Sequence, residues 1–597
     1  MEIKYCNPVK FTDGKRHTNP DPYILQWCGK YYCYATDEYG VKVSVSEDLV
    51  AWEYKGYALK EDEYRDYWAP SVLYENGIFY MYYSNVPTGV EDCHQEWLKL
   101  AVSADPISGF EWKKTFFNKF SIDSHPVLWN GEMYMFYSVN DWNGTEEKRS
   151  GTSILIDCMD DPENFAGEPK EAVLPGIPQE IYEKNRFGDG RDWYTIEGAA
   201  HVVRGRRFWL MYSANAYVNT DYFVGTAIAR CEERLTDMIW KKYPSEYEWQ
   251  PLLRKNAEVE GTGHNTVAKS PDMTEEWIVY HGRNAREELD PLREQREMRI
   301  DQLFFNGDEL LCFGPGAEET PAPAMPAEII RECEITDIEL FGPGGSCYQA
   351  EMWISAEPFH TGCRWGFYLD YKDEKNKVEF EFHSGRQEIT VEEVSGGIRR
   401  RIAGEKIRRS FDYTVPHVVQ ISKKFETYEI ILDGREKIHC AAEKRSRAGK
   451  IGIRPYFTKL TLHSFSLTHT VFVEQKELKY LGRIYDMSPC RLGNMLCSES
   501  GSLTLAKDQP DGLQKEVFTF HILNRMNKVV FRRGSRTVLL AENRQKTFSV
   551  YHFMKDGKEY FLADGQWVRM EDTLPKEPEY RFEIDGLGIT ECQNAKK

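Results

Sequence analysis

The feature that most constrains this chain is a short motif that returns five times in its first half. A glycine or other turn residue leads into an aromatic-rich strand that ends in a small residue or a polar one. The clearest copies are Gly29-Lys-Tyr-Tyr-Cys-Tyr-Ala-Thr36, Gly77-Ile-Phe-Tyr-Met-Tyr-Tyr-Ser84 and Gly131-Glu-Met-Tyr-Met-Phe-Tyr-Ser138. Looser copies are Arg206-Arg-Phe-Trp-Leu-Met-Tyr-Ser213 and Glu276-Trp-Ile-Val-Tyr-His281. Copies fall every ~50–75 residues, the span of a four-stranded propeller blade with variable loops. The segments between them, such as Val41–Ser46 and Leu98–Ser103, alternate as strands do, and no long stripe of 3.6-residue period interrupts them. The first half therefore reads as an all-β, five-bladed β-propeller. Its last blade ends near Arg299–Phe305 and the turn Asn306-Gly307-Asp308.

A chain of 597 residues exceeds a single hydrophobic core. The stretch from Phe313 to Pro326 is rich in Pro, Gly and Ala, which is a linker composition. The expected units are a propeller over 1–315, a linker over 316–329, a β-sandwich over 330–470 and a β-rich domain over 471–597. Asp433-Gly434 marks a hairpin in the second unit. Its end, Gly449 to Leu467, is similar to the closing strands of concanavalin-like jelly rolls. The last unit shows turns at Asp556-Gly557 and Asp564-Gly565 and no recognisable chemistry.

The formal charge of -19 disfavours phosphate backbones and anionic lipid, which need a positive field, and points to a neutral substrate. The runs Arg399-Arg400-Arg401 and Arg532-Arg533 are short and read as solvated strand faces. No segment reaches the ~20 apolar residues of a membrane span. The sequence opens without an apolar signal region, and its 14 cysteines show neither CxxC pairs nor zinc spacing. Reduced, buried thiols in a cytoplasmic protein are the expectation, with the Asn143-Gly144-Thr145 sequon idle.

The chemistry emerges on reading back from each repeat. Eight positions before Gly29, Gly77 and Gly131 stand Asp21, Ala69 and Asp123; the corresponding places before the fourth and fifth copies hold Glu197 and His264. If the repeats are blades, these positions open the innermost strands at one mouth of the central channel. Two Asp, one Glu and one His would then converge. An Asp beside Pro or Gly is often only a turn former, but convergence at equivalent positions of a repeat is hard to explain that way. Carboxyls crowded into a cleft split their pKa values into an acid and a base. Such a pair flanking a glycosidic bond is the equipment of glycoside hydrolysis.

These residues resemble glycoside hydrolase family 43, whose members are five-bladed propellers, over roughly residues 1–315. The resemblance implies Asp21 as general base, Glu197 (in Glu197-Gly198-Ala199) as general acid and Asp123 as the residue that tunes the acid's pKa. Asp123-Ser-His-Pro departs from the family's Asp-Pro, and Glu-Gly-Ala lacks its Pro. Trp68-Ala69-Pro70 matches a pocket-wall motif. Gly261-Thr-Gly-His264 matches one whose His can hold calcium or water on the axis. Arg296, with Arg299 as the alternative register, would bind substrate, and Trp193 is a second candidate for stacking on sugar. By the same resemblance the product is inverted, Glu197 is kept protonated by burial and by the charge of Asp123, and an appended sandwich can send a loop into the pocket. The implied activity is release of α-L-arabinofuranosyl or β-D-xylosyl residues from plant-derived oligosaccharides, with no required cofactor and a possible structural calcium. Two other classes remain open at this point: a non-catalytic carbohydrate-binding propeller, and a related glycosidase of other sugar specificity or a phosphorylase that takes phosphate as nucleophile.

Overall fold

The structure, a computed structural model, describes residues 4–92, 95–140, 150–290, 293–357, 362–443, 449–471, 484–486, 496–498, 503–508, 513–555, 558–569 and 579–596. The Asn143–Thr145 sequon and the Asp556-Gly557 turn lie outside them. Among the described residues the regular elements are strands and three short 3₁₀ turns.

The first half forms five antiparallel sheets whose innermost strands are Tyr23–Trp27, Tyr64–Glu75, Ile122–Trp129, Ile196–Arg204 and Val259–Lys269. Each is followed by its aromatic repeat as the second strand. The repeat is rich in large apolar residues because that strand is buried on both faces. In Lys30–Ala35, Tyr31 and Cys33 pack toward the fifth sheet, while Tyr32 and Tyr34 pack toward the second. The same division recurs around the ring, so five apolar clusters fill the five gaps between neighbouring blades. This makes the closed propeller, with period-2 side-chain alternation serving two interfaces at once.

The ring is closed by the N-terminal segment. Lys10-Phe11 adds in parallel to the outer strand of the first blade at Ala51-Trp52. Just before it, Asn7 Nδ2 donates to the Ile300 carbonyl (2.8 Å) and Asn7 Oδ1 accepts from the Ile300 N–H (3.0 Å). The Tyr5 hydroxyl donates to the same carbonyl (2.8 Å), and the Val9 N–H donates to the Met298 carbonyl (3.1 Å). Residues of the first and last blades are thereby clamped together.

Beyond the propeller, a six-stranded sheet (Arg364–Asp373 and its neighbours) faces the sheet carrying Cys347–Ala356 and His417–Lys424 across a large apolar core. The strand Leu460–Val471 continues past this core to pair with Leu587–Lys596, at Thr470↔Ala595 and Val471↔Asn594. The sheets on either side of residue 470 are thus hydrogen-bonded into one. Within the expected linker, Thr320-Pro321 pairs with Lys4-Tyr5, and Glu328–Ile335 is already a strand of the second unit.

The later sheets meet the propeller at turns between its strands. Gly29 sits against Ser464 and Gly77 against Val415. Arg435 donates to the Gly131 carbonyl (3.0 Å) and pairs with Glu75 (2.7 Å). Gly307 sits against Thr547, and the Ser549 N–H donates to Asn306 Oδ1 (2.8 Å). These turns lie at the opposite end of the strands from Asp21, Asp123 and Glu197. The described residues of the appended sheets therefore supply no loop to that mouth.

Replacing Asn7 with Ala leaves the buried Ile300 N–H without its acceptor. The expected loss is about 1–3 kcal/mol, read as a lower urea midpoint, while the opposite result, an unchanged midpoint, would show that closure does not rest on this pair.

Candidate active site

Four of the innermost strands carry the same irregularity. The pairing with the second strand breaks between Trp68 and Ser71, between Ile122 and His125, between Glu197 and Ala200 and between Gly263 and Thr266. The residue just inside each break has a left-handed backbone: Ala69 (φ 37), Asp123 (φ 56), Gly198 (φ 63) and His264 (φ 45). Asp21 (φ 52) occupies that place before the first inner strand. The equivalence expected from the sequence holds for four positions. In the fourth blade it is shifted: Gly198 holds the equivalent place and Glu197 precedes it. Gly198 suits this place because a Cβ there would lie 3.2 Å from the His264 ring.

The bulges turn side chains toward the channel mouth. One cavity is lined by Asp21 and Thr36 from the first blade, Trp68 from the second, Ile122 and Asp123 from the third, Glu197, Tyr217 and Tyr222 from the fourth, and His264 and Arg296 from the fifth. All three expected carboxyls, with Trp68, His264 and Arg296, are thus in one place. Trp193 is not in this lining. Its indole is buried, edge-on to Phe187 (5.6 Å) with the Arg186 guanidinium over it (5.3 Å). Arg299 is also buried outside the lining, whereas Arg296 is part of it.

The three carboxyls differ in their neighbours. Asp21 accepts from the Thr36 hydroxyl (2.6 Å), and Thr36 in turn accepts from the Ala69 N–H (2.8 Å). Arg296 Nη1 lies 3.2 Å from Asp21 Oδ1, His281 Nδ1 3.2 Å and His264 Nδ1 3.4 Å. Burial opposes the charge of Asp21, but the Arg296 guanidinium outweighs it and holds the carboxyl well below its usual range. Arg296 is fixed from its other side by Glu294 (2.7 Å) and lies over the Tyr217 ring (4.7 Å).

Among the described residues, no Arg or Lys pairs with Glu197. Its Oε1 accepts from the Tyr222 hydroxyl (2.6 Å), which favours the carboxylate. Burial, with the charge of Asp21 added, overrides this and pushes its pKa up to about 7. Asp123 accepts only the Gly198 N–H (3.1 Å) at this site and is raised well above its usual range, by burial first and then by Glu197 and Asp21. The charge of Asp21 bears on both, and Asp123 and Glu197, each raised, compete for a proton.

Thr36, Tyr217, Tyr222 and His281 were not singled out from the sequence. Thr36 and His281 end two copies of the aromatic repeat, and that shared place was the signal available for them. Tyr217 and Tyr222 lie on the irregular stretch between repeats, where no spacing marks them. Burial lowers His281 to about 4, so it is neutral beside Asp21 near neutral pH.

Asp123, Glu197 and His264 bring ligand atoms within 4.8 Å of one another. Calcium takes roughly six to eight oxygen ligands. This set offers two carboxyls biased toward their protonated forms and an imidazole whose Nδ1 faces Asp21. These three donors would leave most of a calcium shell to other ligands.

Among curated proteins, the chain is similar to α-L-arabinofuranosidase 43 of Humicola insolens, at 28% identity over 46% of this chain and 55% of that one. It is 26% identical to an extracellular exo-α-(1→5)-L-arabinofuranosidase of Streptomyces avermitilis, over 41% of this chain and 49% of that one. It is 24% identical to a β-xylosidase of Bacillus subtilis, over 57% of this chain and 62% of that one. The matches thus span about half to three-fifths of these relatives' lengths. Among solved structures, a thermostable family-43 glycoside hydrolase is 30% identical, with 54% of this chain and 99% of that one covered and a TM-score of 0.46. The relatives named extracellular overturn the expectation of a cytoplasmic protein; buried thiols such as Cys33 are explained by packing alone, whatever the compartment. The model of the glycosyl hydrolases family 43 matches residues 7–311, just over half of the 597, and the chain belongs to that family.

Proposed function

We propose that this protein is an inverting glycoside hydrolase that releases terminal α-L-arabinofuranosyl or β-D-xylosyl residues from plant-derived oligosaccharides. The catalytic unit is residues 1–315, followed by the linker 316–329, the sandwich 330–470 and the β-rich unit 471–597. The observation that carries the reading is the asymmetry of one cavity. A carboxylate held ionised by Arg296 shares it with a carboxyl biased toward its acid form.

In this reading Asp21 is the general base. Ionised and fixed by Thr36 and Arg296, it takes a proton from a water aligned with the anomeric carbon. Glu197, protonated up to about neutral pH, gives its proton to the leaving oxygen. The new C–O bond forms on the face opposite the breaking one, so configuration inverts. Asp123, buried beside Glu197, tunes the acid through the proton the two carboxyls compete for, and their titrations are properties of the pair. Trp68 walls the sugar, and Arg296 has N–H groups left to reach a ring hydroxyl. No step calls for a cofactor. The pentose assignment draws on the arabinofuranosidases and xylosidases among the relatives. A phosphorylase would need cations free to hold phosphate, whereas Arg296, the one Arg or Lys in the lining among the described residues, is engaged by Asp21 and Glu294.

Asp21→Ala and Glu197→Ala are each expected to lower turnover of nitrophenyl pentosides by roughly 10²–10⁴-fold while remaining folded. A leaving group that needs no protonation should restore much of the rate to Glu197→Ala and none to Asp21→Ala. Full activity in either variant ends the assignment.

The pH profile gives an independent check. Glu197 must carry its proton, so kcat/KM should fall as pH rises through about 7. Asp21 must lack its proton, so the acid limb should lie below the ordinary carboxylate range. Tyr222→Phe removes the hydrogen bond that favours the Glu197 carboxylate. It should move the alkaline limb to higher pH and leave the acid limb in place; a limb that stays put would detach Glu197 from it.

A further inference from the structure

The outer face of the six-stranded sheet of the sandwich, away from its apolar core, bears a cavity of ≈610 Å³ far along the chain from the catalytic residues. Phe380 and Phe382 of the strand Asn376–His383 enter the core, so Glu381 and His383 project outward. An outward carboxylate on a sheet face is ordinarily solvated. Here the Glu381 side chain is 2% exposed, and it lines the cavity. One oxygen, Oε2, lies 3.3 Å from Arg364; the other, Oε1, is buried without a hydrogen-bond partner. An unsatisfied buried acceptor is costly, and a donor entering the cavity would relieve that cost.

The charge of the lining runs against that of the chain. Arg364, Arg386, Arg399 and Arg401 face Glu381 and Glu392 in a protein of formal charge -19. Arg399 pairs with Glu392, and Arg401 with Glu388 (2.8 Å). The exposed Arg386 guanidinium has no carboxylate partner among the described residues. At the same rim stands Phe457, 75% exposed. Its backbone is tied down rather than loose: the Cys363 thiol donates to the Phe457 carbonyl (3.0 Å), and the Ser384 hydroxyl to the Cys363 carbonyl (2.8 Å). A fixed, exposed aromatic ring beside planar charged groups is the equipment that holds a sugar ring by its apolar face and its hydroxyls.

We propose that this cavity is a second saccharide site, selective for an oligosaccharide that bears a uronic acid. Arg386 pairs with the sugar carboxylate, Glu381 Oε1 accepts from a ring hydroxyl, and Phe457 covers a ring face. The choice of saccharide rests on the glycan-directed reading of the enzyme; the binding itself does not use Asp21 or Glu197. Such a site would hold the enzyme on an acidic branch of the polymer whose neutral branches the propeller trims.

The test is calorimetric titration of the full chain carrying Asp21→Ala, so that the probe is not consumed. The probes are xylotriose with one glucuronic acid branch and plain xylotriose. The branched probe should bind at least about tenfold more tightly, and Arg386→Ala and Glu381→Gln should each weaken it by about tenfold or more. Phe457→Ala, an exposed change that leaves the fold in place, should weaken both probes. With Asp21 restored, Arg386→Ala should turn over nitrophenyl pentosides at the unaltered rate. Equal binding of the two probes overturns the carboxylate assignment. Binding that persists unchanged in Arg386→Ala and Glu381→Gln overturns the site, and absence of binding overturns the whole proposal. None of these readings depends on hydrolysis, so failure here leaves the catalytic assignment untouched, and the reverse holds too.

Discussion

Arg296 beside Asp21 is the contact on which the rest of the site depends. Three carboxyls and two imidazoles are buried around one axis, and burial alone would drive all three acids toward their neutral forms. A single guanidinium placed against Asp21, and pinned by Glu294 behind it, breaks that degeneracy. The ionised Asp21 then raises both of its neighbours, Glu197 and Asp123. Acid and base are thus separated by one cation on one side of the cavity, and neutral His281 and His264 complete the surround of the base without adding a competing charge.

That arrangement requires residues from five blades to stay in register, which is a property of the whole ring. The five apolar clusters between blades are each built from the two faces of the aromatic repeat, so every blade is held by both neighbours. The ring has one covalent gap, between the fifth blade and the first, and Arg296 and Asp21 lie on either side of it. The Asn7–Ile300 pairing closes the same gap. Ring closure and the charge pairing of the base are therefore mechanically linked.

The repeat made the fold legible because its signal is physical: a strand buried on both faces must be apolar at consecutive positions, and a turn must precede it. The inner-strand positions followed by counting back, and Asp21 and Asp123 fell where the count placed them, while His264 stands farther from its aromatic strand. In the fourth blade the same count back from Arg206 reaches Gly198, the left-handed place, and Glu197 stands one residue before it. Trp193 was misleading because an aromatic next to a catalytic segment looks the same in sequence whether it faces sugar or packs on Phe187. Tyr222 and Tyr217 had no repeat to locate them. The tuning of Glu197 was likewise beyond reach, since it turns on which carboxyl Arg296 touches.

The left-handed residues join the architecture to the chemistry. A positive φ is disfavoured for residues with a Cβ, least so for Asp and Asn, whose side chains bond locally. Ala69 takes it in the second blade although a methyl group has no chemistry to offer and no local hydrogen bond to repay it. The bend there serves the site through its neighbours: Trp68 lines the cavity, and the Ala69 N–H donates to Thr36, which holds Asp21. Asp21 and Asp123 occupy places where the backbone already favoured an acidic side chain, and His264 and Glu197 are presented by the same bend. The catalytic reading thus asks of the fold only a choice of side chains at bends that recur around the ring.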